Sequence, residues 1–590
     1  MTPKEFYLNR VSQIEIKLNL LTKKTLIVSL LRLVVFLATV FSAYFLRDSN
    51  TALFAAIAAG VISFLILISW YTNLKRKRNF EQILLKINQS EIDWIEGKKC
   101  NYHNGSDFSD PNHEFCRDID LFGEGSIFQA INRTGSKAGQ AYLAKLLNQN
   151  HCENIVAKQD ALKELAELPE WRQSFQANTA LLDDKIDIQN TITWMGKYSK
   201  KLPNFIQYLT FVFPILSIVG IILVGLNILT TSFLLILVLI GLFISGIFIK
   251  RINKINQNAS QLANNFTQLS KLVSLIENQE FKSEVVLDQK NLTLKEDKSS
   301  SVLFAQFGKD LGSLDQRNNI FFAFVANGFF LWDMRYARRI ENWIVENHNL
   351  VERCFETVTF FEAQNSLANF VFNHPEFCFP IVNIESDKVI SAKKFGHPLL
   401  KAEKRIDNDF EIINNQFLII TGANMAGKST FLRTVGLGIV MSNVGLPVCA
   451  KEFHYQPIRL ISSMRSSDSL VDDTSYFFAE LKRLKFIVDK MESAKYFIIL
   501  DEILKGTNSK DKEEGSKKFV ERLVASKSVG IIATHDLSLC ELENTHSGIK
   551  NYYFDAEILN NELHFDYTLK SGICKNMNAS FLLRKMGIVE

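Results

Sequence analysis

The sequence predicts an α/β domain at the C-terminal end of a mostly α-helical chain that also carries four transmembrane helices in two hairpins. Three observations predict it. Four runs of roughly twenty apolar residues come as two closely spaced pairs, the length a helix needs to cross a bilayer. Stretches between and after them repeat apolar residues every three or four positions, the period of a helix. From about Phe395 onward, short β-branched runs alternate with helical segments, the rhythm of a largely parallel sheet buried on both faces.

Composition sets bounds on the rest. The 590 residues exceed one ordinary core, and 47% hydrophobic with 22% charged residues exclude a wholly disordered chain. Against 63 acidic residues stand 67 basic ones, a net charge of +4, so no global basic field points to nucleic acid. Eight scattered cysteines form no CxxC pair, and ten histidines show no HExxH spacing. Zinc ribbons and disulfide frameworks are thereby disfavoured and a reducing compartment favoured.

The N-terminal segment 1–78 holds the first hairpin, Leu26–Leu46 and Ala52–Trp70, joined by Arg47-Asp48-Ser49-Asn50. Residues 79–118 read as a cytoplasmic linker, and 119–204 as the first part of a helical core with Ala141–Leu147 as its clearest helix. The second hairpin occupies 205–249, as Phe205–Leu226 and Leu229–Ile249; Pro214 within it is tolerable in a membrane helix. Three spans carry no charge, and Arg32 in the first lies close enough to Lys23-Lys24 to snorkel. Lys23, Lys24 and Lys75–Arg78 flank the first hairpin, and Lys197, Lys200, Lys201, Lys250, Arg251 and Lys254 the second. Positive-inside bias therefore predicts a multi-pass protein of the cell membrane, with the N-terminus, 79–204 and 250–590 in the cytoplasm. Residues 250–395 read as further helix: Arg251–Gln279 continuing the fourth span, a soft linker at Lys295–Ser301, and a helix-like stretch 315–370. Arg335, Arg338 and Arg339 there read as a solvated face.

In the C-terminal domain, 396–590, strands are predicted at Phe417–Ile420, Arg459–Ile461, Tyr496–Leu500 and Gly530–Ala533. Directly after the first stands Gly422-Ala423-Asn424-Met425-Ala426-Gly427-Lys428-Ser429, with a helix beginning near Thr430. That is the G-x-x-x-x-G-K-S pattern in its strand-to-helix setting, whose backbone N–H groups can cradle the phosphates of ATP. Lys428 would bridge β- and γ-phosphates and the Ser429 hydroxyl would hold Mg²⁺. The strand ending at Leu500 is followed by Asp501, suited to Mg²⁺, and Glu502, suited to orient or deprotonate the attacking water. The last strand ends in Thr534-His535, an imidazole placed to sense a γ-phosphate. The predicted catalytic set is Glu502, His535 and Lys428. Their order is that of ATPases related to the ABC transporters, but no LSGGQ signature stands between.

Instead, Ser466–Leu481, with TGANMAGKST, LDEILKGTN and ATH, resembles the MutS family of DNA mismatch-repair ATPases. The family's GPNMGGKST and DEIGRGT are departed from at Ala423, Ala426, Leu504 and Lys505, none of which removes a reactive group. Asp120–Phe128 with Asn132-Arg133-Thr134 resembles the start of the family's core domain, Gly396-His397-Pro398 the start of its ATPase domain, and Tyr567–Ile588 its closing helical region. The resemblance implies a P-loop, ABC-type ATPase fold and a homodimer in which Ser475 reaches the partner's γ-phosphate. It also implies that Asn424 responds to nucleotide state and that (mismatched) DNA is bound.

A mismatch reader of this family carries an N-terminal recognition domain with an F-x-E wedge. Only about forty cytoplasmic residues precede the core here, and Phe360-Phe361-Glu362 fits F-x-E by chance, mid-chain in a helical segment. No clamp-sized segment follows the second hairpin. Three readings stand: a membrane-anchored, DNA-acting ATPase; an ATP-driven switch acting on membrane partners without DNA; and a transporter-like machine, disfavoured because Arg32 is the one ionisable group in the spans.

Overall fold

A computed structural model describes residues 1–590 except 184–187, 201, 260–261, 295–298, 466–475, 506–507, 527, 560–561, 575–587 and 589–590. Two long helices, α1 (Pro3–Phe45) and α2 (Asn50–Ile95), form the first hairpin. Thr2 opens α1 with a reciprocal capping box to Glu5, and Pro3 sits in its first turn, where no N–H is needed. The helical region continues with α3 (Ile127–Ile131), α4 (Lys137–Asn148), α5 (Ile155–Ala166), α6 (Pro169–Thr179) and α7 (Ile188–Gly196). The second hairpin is α8 (Ile206–Gly225) and α9 (Thr231–Ala259). Then come α10 (Leu262–Asn278), α11 (Glu284–Asn291), α12 (Ser300–Asp315), α13 (Ile320–Phe330) and the 42-residue α14 (Trp332–Asn373).

Four of these helices are long and apolar enough to cross a membrane, and they coincide with the four expected spans. The two hairpins differ in cover. Only 6% and 0% of the apolar windows of α1 and α2 are buried, against 28% and 22% for α8 and α9, which pack against α13 and α14. Arg32 lies over the rings of Phe64 and Tyr71 of α2, at 5.4 and 5.0 Å. Where α9 crosses α13 the backbones nearly touch: a Cβ on Gly241 would lie 2.2 Å from the carbonyl oxygen of Gly328.

Helix α14 is the spine of the helical region. Its middle packs on Trp171, Phe175 and Phe281 through Phe361, and Trp343 stacks on Phe307 at 3.8 Å between ring centres. At one end, Arg338 donates to the carbonyl of Leu202 and to Asn204 (both 2.9 Å), while Glu341 accepts from Tyr198 (2.8 Å) and the N–H of Leu202 (3.1 Å). These bonds fix the approach to the second hairpin. The arginine stripe is thus not a solvated face: Arg338 is buried, Arg339 pairs with Asp310 at 3.0 Å, and Arg335 alone stays exposed. At the other end, Tyr7 donates to Asn373 (2.8 Å) and Asn369 (3.2 Å). Both asparagines donate to Glu91, which is buried in an ion pair with Arg133. The N-terminal end of α1 and the C-terminal end of α2 are therefore bolted to α14.

Two expected linkers are structured. Residues 79–95 continue α2, and Phe115, Cys116 and Ile119 beyond it are buried. In Lys295–Ser301 the first four residues lie outside the described ones, but Ser299 and Ser301 donate to Glu277, and Ser300 and Ser301 are buried.

The C-terminal part holds two sheets. Strands β1 (Ile381–Val382), β2 (Lys388–Phe395), β3 (Asn408–Ile413) and β5 (Glu452–Tyr455) form a four-stranded sheet ordered β1-β5-β2-β3. The larger sheet uses β4 (Phe417–Gly422), β6 (Arg459–Ser463), β7 (Tyr496–Asp501), β8 (Val529–Ala533), β9 (Ile549–Leu559) and β10 (Glu562–Ser571) in the order β10-β9-β4-β8-β7-β6. All its pairs are parallel except β9–β10. Helices α15 (Lys428–Asn443), α16 (Tyr476–Met491) and α17 (Ser509–Ala525) cover it, which is why β4, β7 and β8 read as continuous apolar runs. The expected closing helical region begins instead as strand, since Tyr567–Ser571 end β10; residues 575–587 lie outside the described ones.

Candidate functional site

Sheet register assembles the site. Ile420 of β4 lies opposite Ala533 of β8, and Ala533 opposite Asp501 of β7, so three strands end level with one another. The loop 423–427, the pair Asp501-Glu502 and Thr534-His535 therefore leave the sheet at one edge, around a cleft of about 700 Å³. Asn424, Met425, Gly427, Lys428, Ser429, Thr430, Asp501, Glu502, Lys505 and His535 all line it, with Tyr567 packed beside Gly427.

The loop conformation explains its glycines. Gly422 (φ 148°) and Gly427 (φ 101°) occupy left-handed backbone, and a Cβ on Gly422 would meet the Phe554 carbonyl oxygen at 2.5 Å. Gly427 precedes α15, whose first turn presents free N–H groups at the cleft. Met425 is also left-handed (φ 67°) and 79% exposed, while Ala426 is buried beneath the loop.

Lys428 is buried and hydrogen-bonds the carbonyls of Gly422 (2.7 Å) and Ala423 (3.0 Å), with His535 Nε2 at 3.3 Å. Burial pushes its ammonium below the usual lysine range. Ser429 donates to Asp501 at 2.9 Å. This hydroxyl–carboxylate pair at a helix start is an oxygen donor set suited to a hard divalent cation such as Mg²⁺. Glu502 sits in left-handed backbone (φ 49°), held by its N–H on the Ala533 carbonyl (2.8 Å). Its carboxylate meets His535 Nε2 at 3.0 Å and Lys505 Nζ at 3.3 Å. Burial, then the charge of Lys428, pushes the His535 imidazole below the ordinary histidine value. The structure thus brings together Gly422–Thr430, Asp501, Glu502 and His535. Ser475 lies outside the described residues.

Several residues around the site escape sequence reading. Glu480 of α16 accepts from the N–H groups of Leu504 (2.6 Å) and Lys505 (3.1 Å), shaping the turn after Glu502. Asp120 pairs with Arg433 of α15 (3.2 Å) and Arg465 (2.8 Å), and Asp118 accepts from Ser462 (2.7 Å). These pairs tie the helical region to the helix that begins at Lys428. Sequence separations above three hundred residues hide them. The one signal was the Asp120–Phe128 motif itself.

Fold and site define a class of domain: a mixed α/β sheet with a glycine-rich strand-to-helix loop, faced by a carboxylate pair and a histidine from neighbouring strand ends. Residues 418–583 match the family model MutS domain V, so this part of the chain is similar to the MutS family. It is 29% identical over 208 residues to "MutS protein homolog 4" of Homo sapiens, covering 33% of this chain and 22% of that protein. It is 29% identical over 250 residues to "DNA mismatch repair protein MutS" of Caldicellulosiruptor saccharolyticus (41% and 28%), and 33% over 191 residues to the protein so named in Caldicellulosiruptor bescii (31% and 22%). The chain therefore spans between a fifth and a third of the length of these relatives.

Proposed function

We propose that this is a membrane-anchored MutS-family ATPase that binds and hydrolyses ATP as a homodimer, with DNA, mismatched DNA in particular, as the ligand its family likeness brings. The observation that carries it is the meeting of Lys428, the Ser429–Asp501 pair and the Glu502–His535 pair at one sheet edge. Lys428, already stripped of water, exchanges its two carbonyl contacts for phosphate oxygens. Ser429 and Asp501 would hold Mg²⁺, whose charge would neutralise phosphate oxygens when bound. Glu502, aimed by His535 and Lys505, orients a water and takes its proton as the oxygen attacks the γ-phosphorus and the bond to ADP breaks. The four apolar helices and the basic residues that flank them support a place in a cell membrane with this domain in the cytoplasm.

A second reading, an ATP-driven switch acting on membrane partners without DNA, is favoured by Glu362. That carboxylate is buried and accepts from the N–H groups of Gly135 (2.8 Å) and Ser136 (3.0 Å), so the F-x-E match is a helix-start anchor and reads no base. The test is ATP turnover in nanodiscs without DNA and with matched, mismatched and branched duplexes at fixed salt. Glu502→Gln is expected to lower turnover on the order of 100-fold or more while keeping ATP binding; unchanged turnover overturns the site. Stimulation by one duplex supports the first reading, and a DNA-independent rate the second.

A further inference from the structure

Between the first hairpin and the helices α10 and α12 lies a second cleft, of about 1830 Å³. Six cations line it: Lys17 and Lys24 of α1, Arg76 and Lys77 of α2, Lys271 of α10 and Lys309 of α12. Among the described residues none of the six forms an ion pair with a carboxylate, and Glu81 is the single acid in the lining. Elsewhere on this chain, surface lysines of helices commonly pair, as Lys485 does with Asp489 and Lys518 with Glu514. Lys271 is exposed at the rim, and its ammonium is pushed down by partial desolvation and then by the charge of Arg76 across the cleft. Six like charges around a recess with Glu81 as the single counter-charge repel one another, and a bound anion would relieve that repulsion.

The cleft's position says which anion. Lys24 and Arg76–Lys77 fall within about 10 Å, along their helices, of the ends of the apolar spans, the depth of the headgroup layer. On the opposite wall, Gln316 lines the cleft four residues before α13, whose Ile320 and Phe321 are 82% and 87% exposed. Both walls thus run up to apolar surface. Leu20, Leu21 and Val302 supply apolar lining between the cations. A nucleic-acid groove would not need that flank; an amphiphile would.

We propose that this cleft binds an anionic phospholipid of the cytoplasmic leaflet, its phosphate held by Arg76 and Lys271 and its acyl chain lying along the first hairpin. The proposal rests on the membrane placement above, and its test separates the two. Carbonate extraction of membranes first asks whether the full chain is integral; release from the membrane overturns both. The full chain is then placed in nanodiscs of phosphatidylcholine and phosphatidylglycerol in equal parts, and lipids retained on release are weighed by native mass spectrometry. Phosphatidylglycerol is expected to be enriched on the order of tenfold, consistent with the pull of each nearby Lys or Arg on anionic lipid. The double variant Arg76→Gln, Lys271→Gln should abolish that enrichment. Lys75→Gln with Lys250→Gln, which removes equal charge at similar depth outside the cleft, should leave it. Equal loss in both pairs would reduce the effect to a general basic belt and overturn the site. So would retention in the cleft pair, or a short duplex displacing the lipid with the same residue dependence. An integral protein with no enrichment sinks the cleft alone.

Discussion

Glu362 shows how a residue's surroundings decide its role. Burial outweighs its hydrogen bonds and pushes the carboxyl up to about 7 from an ordinary value of 4.5. With the folded-state value above the unfolded one, the folded chain holds the extra proton between these limits. The associated stability is full below about pH 4.5 and is lost as pH rises through about 7. Glu362→Gln, neutral throughout, should remove that dependence. Thermal melts of both proteins in detergent are expected to diverge by about 3 kcal/mol over this range, the variant gaining with pH; parallel curves would refute a proton-binding Glu362. The motif residues Lys428, Ser429, Asp501, Glu502 and His535 were legible in the sequence because local spacing on strand ends implies their neighbourhood. Glu480 and Asp120 were not, because what they touch is set by tertiary packing and not by any local pattern.

Helices α8, α9 and α13 show where length reasoning stops. The four long apolar helices were legible because roughly twenty apolar residues in a row announce one continuous element. The eleven residues of α13 are equally apolar but too short to be read as a span, and only packing reveals that they lie on α9. That contact depends on Gly241 and Gly328. Gly241→Val places a side chain on the Gly328 carbonyl and is expected to destabilise the chain by about 1–3 kcal/mol. Cross-linking between cysteines placed on α9 and α13 should fall in parallel. Gly246→Val, with nothing within 4 Å of its Cβ, is the control that should melt as the parent does. The expected linker 79–118 failed for a related reason: charge at Lys75–Arg78 ended the membrane signal in the sequence, yet the helix itself continues to Ile95.

The topology proposed from charge bias has a direct check. Ser49 in the first turn and Lys99 beyond α2 are both exposed, while the native thiols are buried or half-buried. In intact cells a membrane-impermeant maleimide should label Ser49→Cys and spare Lys99→Cys until the membrane is opened; the reverse pattern would invert the proposed orientation.

The knot of Tyr7, Glu91, Asn369 and Asn373 carries a consequence of its own. Tyr7 lies 17 residues before Lys24, and Glu91 lies 16 after Lys75, so both helices run about 25 Å from the end of their spans to the joint. Helix α14 returns from that joint towards Arg338, which holds the foot of the second hairpin. With the spans in a bilayer, the three helices form a caliper of fixed opening. It sets the distance between the joint and the membrane, and lengthening α1 and α2 together by whole turns would increase that distance by about 5.4 Å per turn.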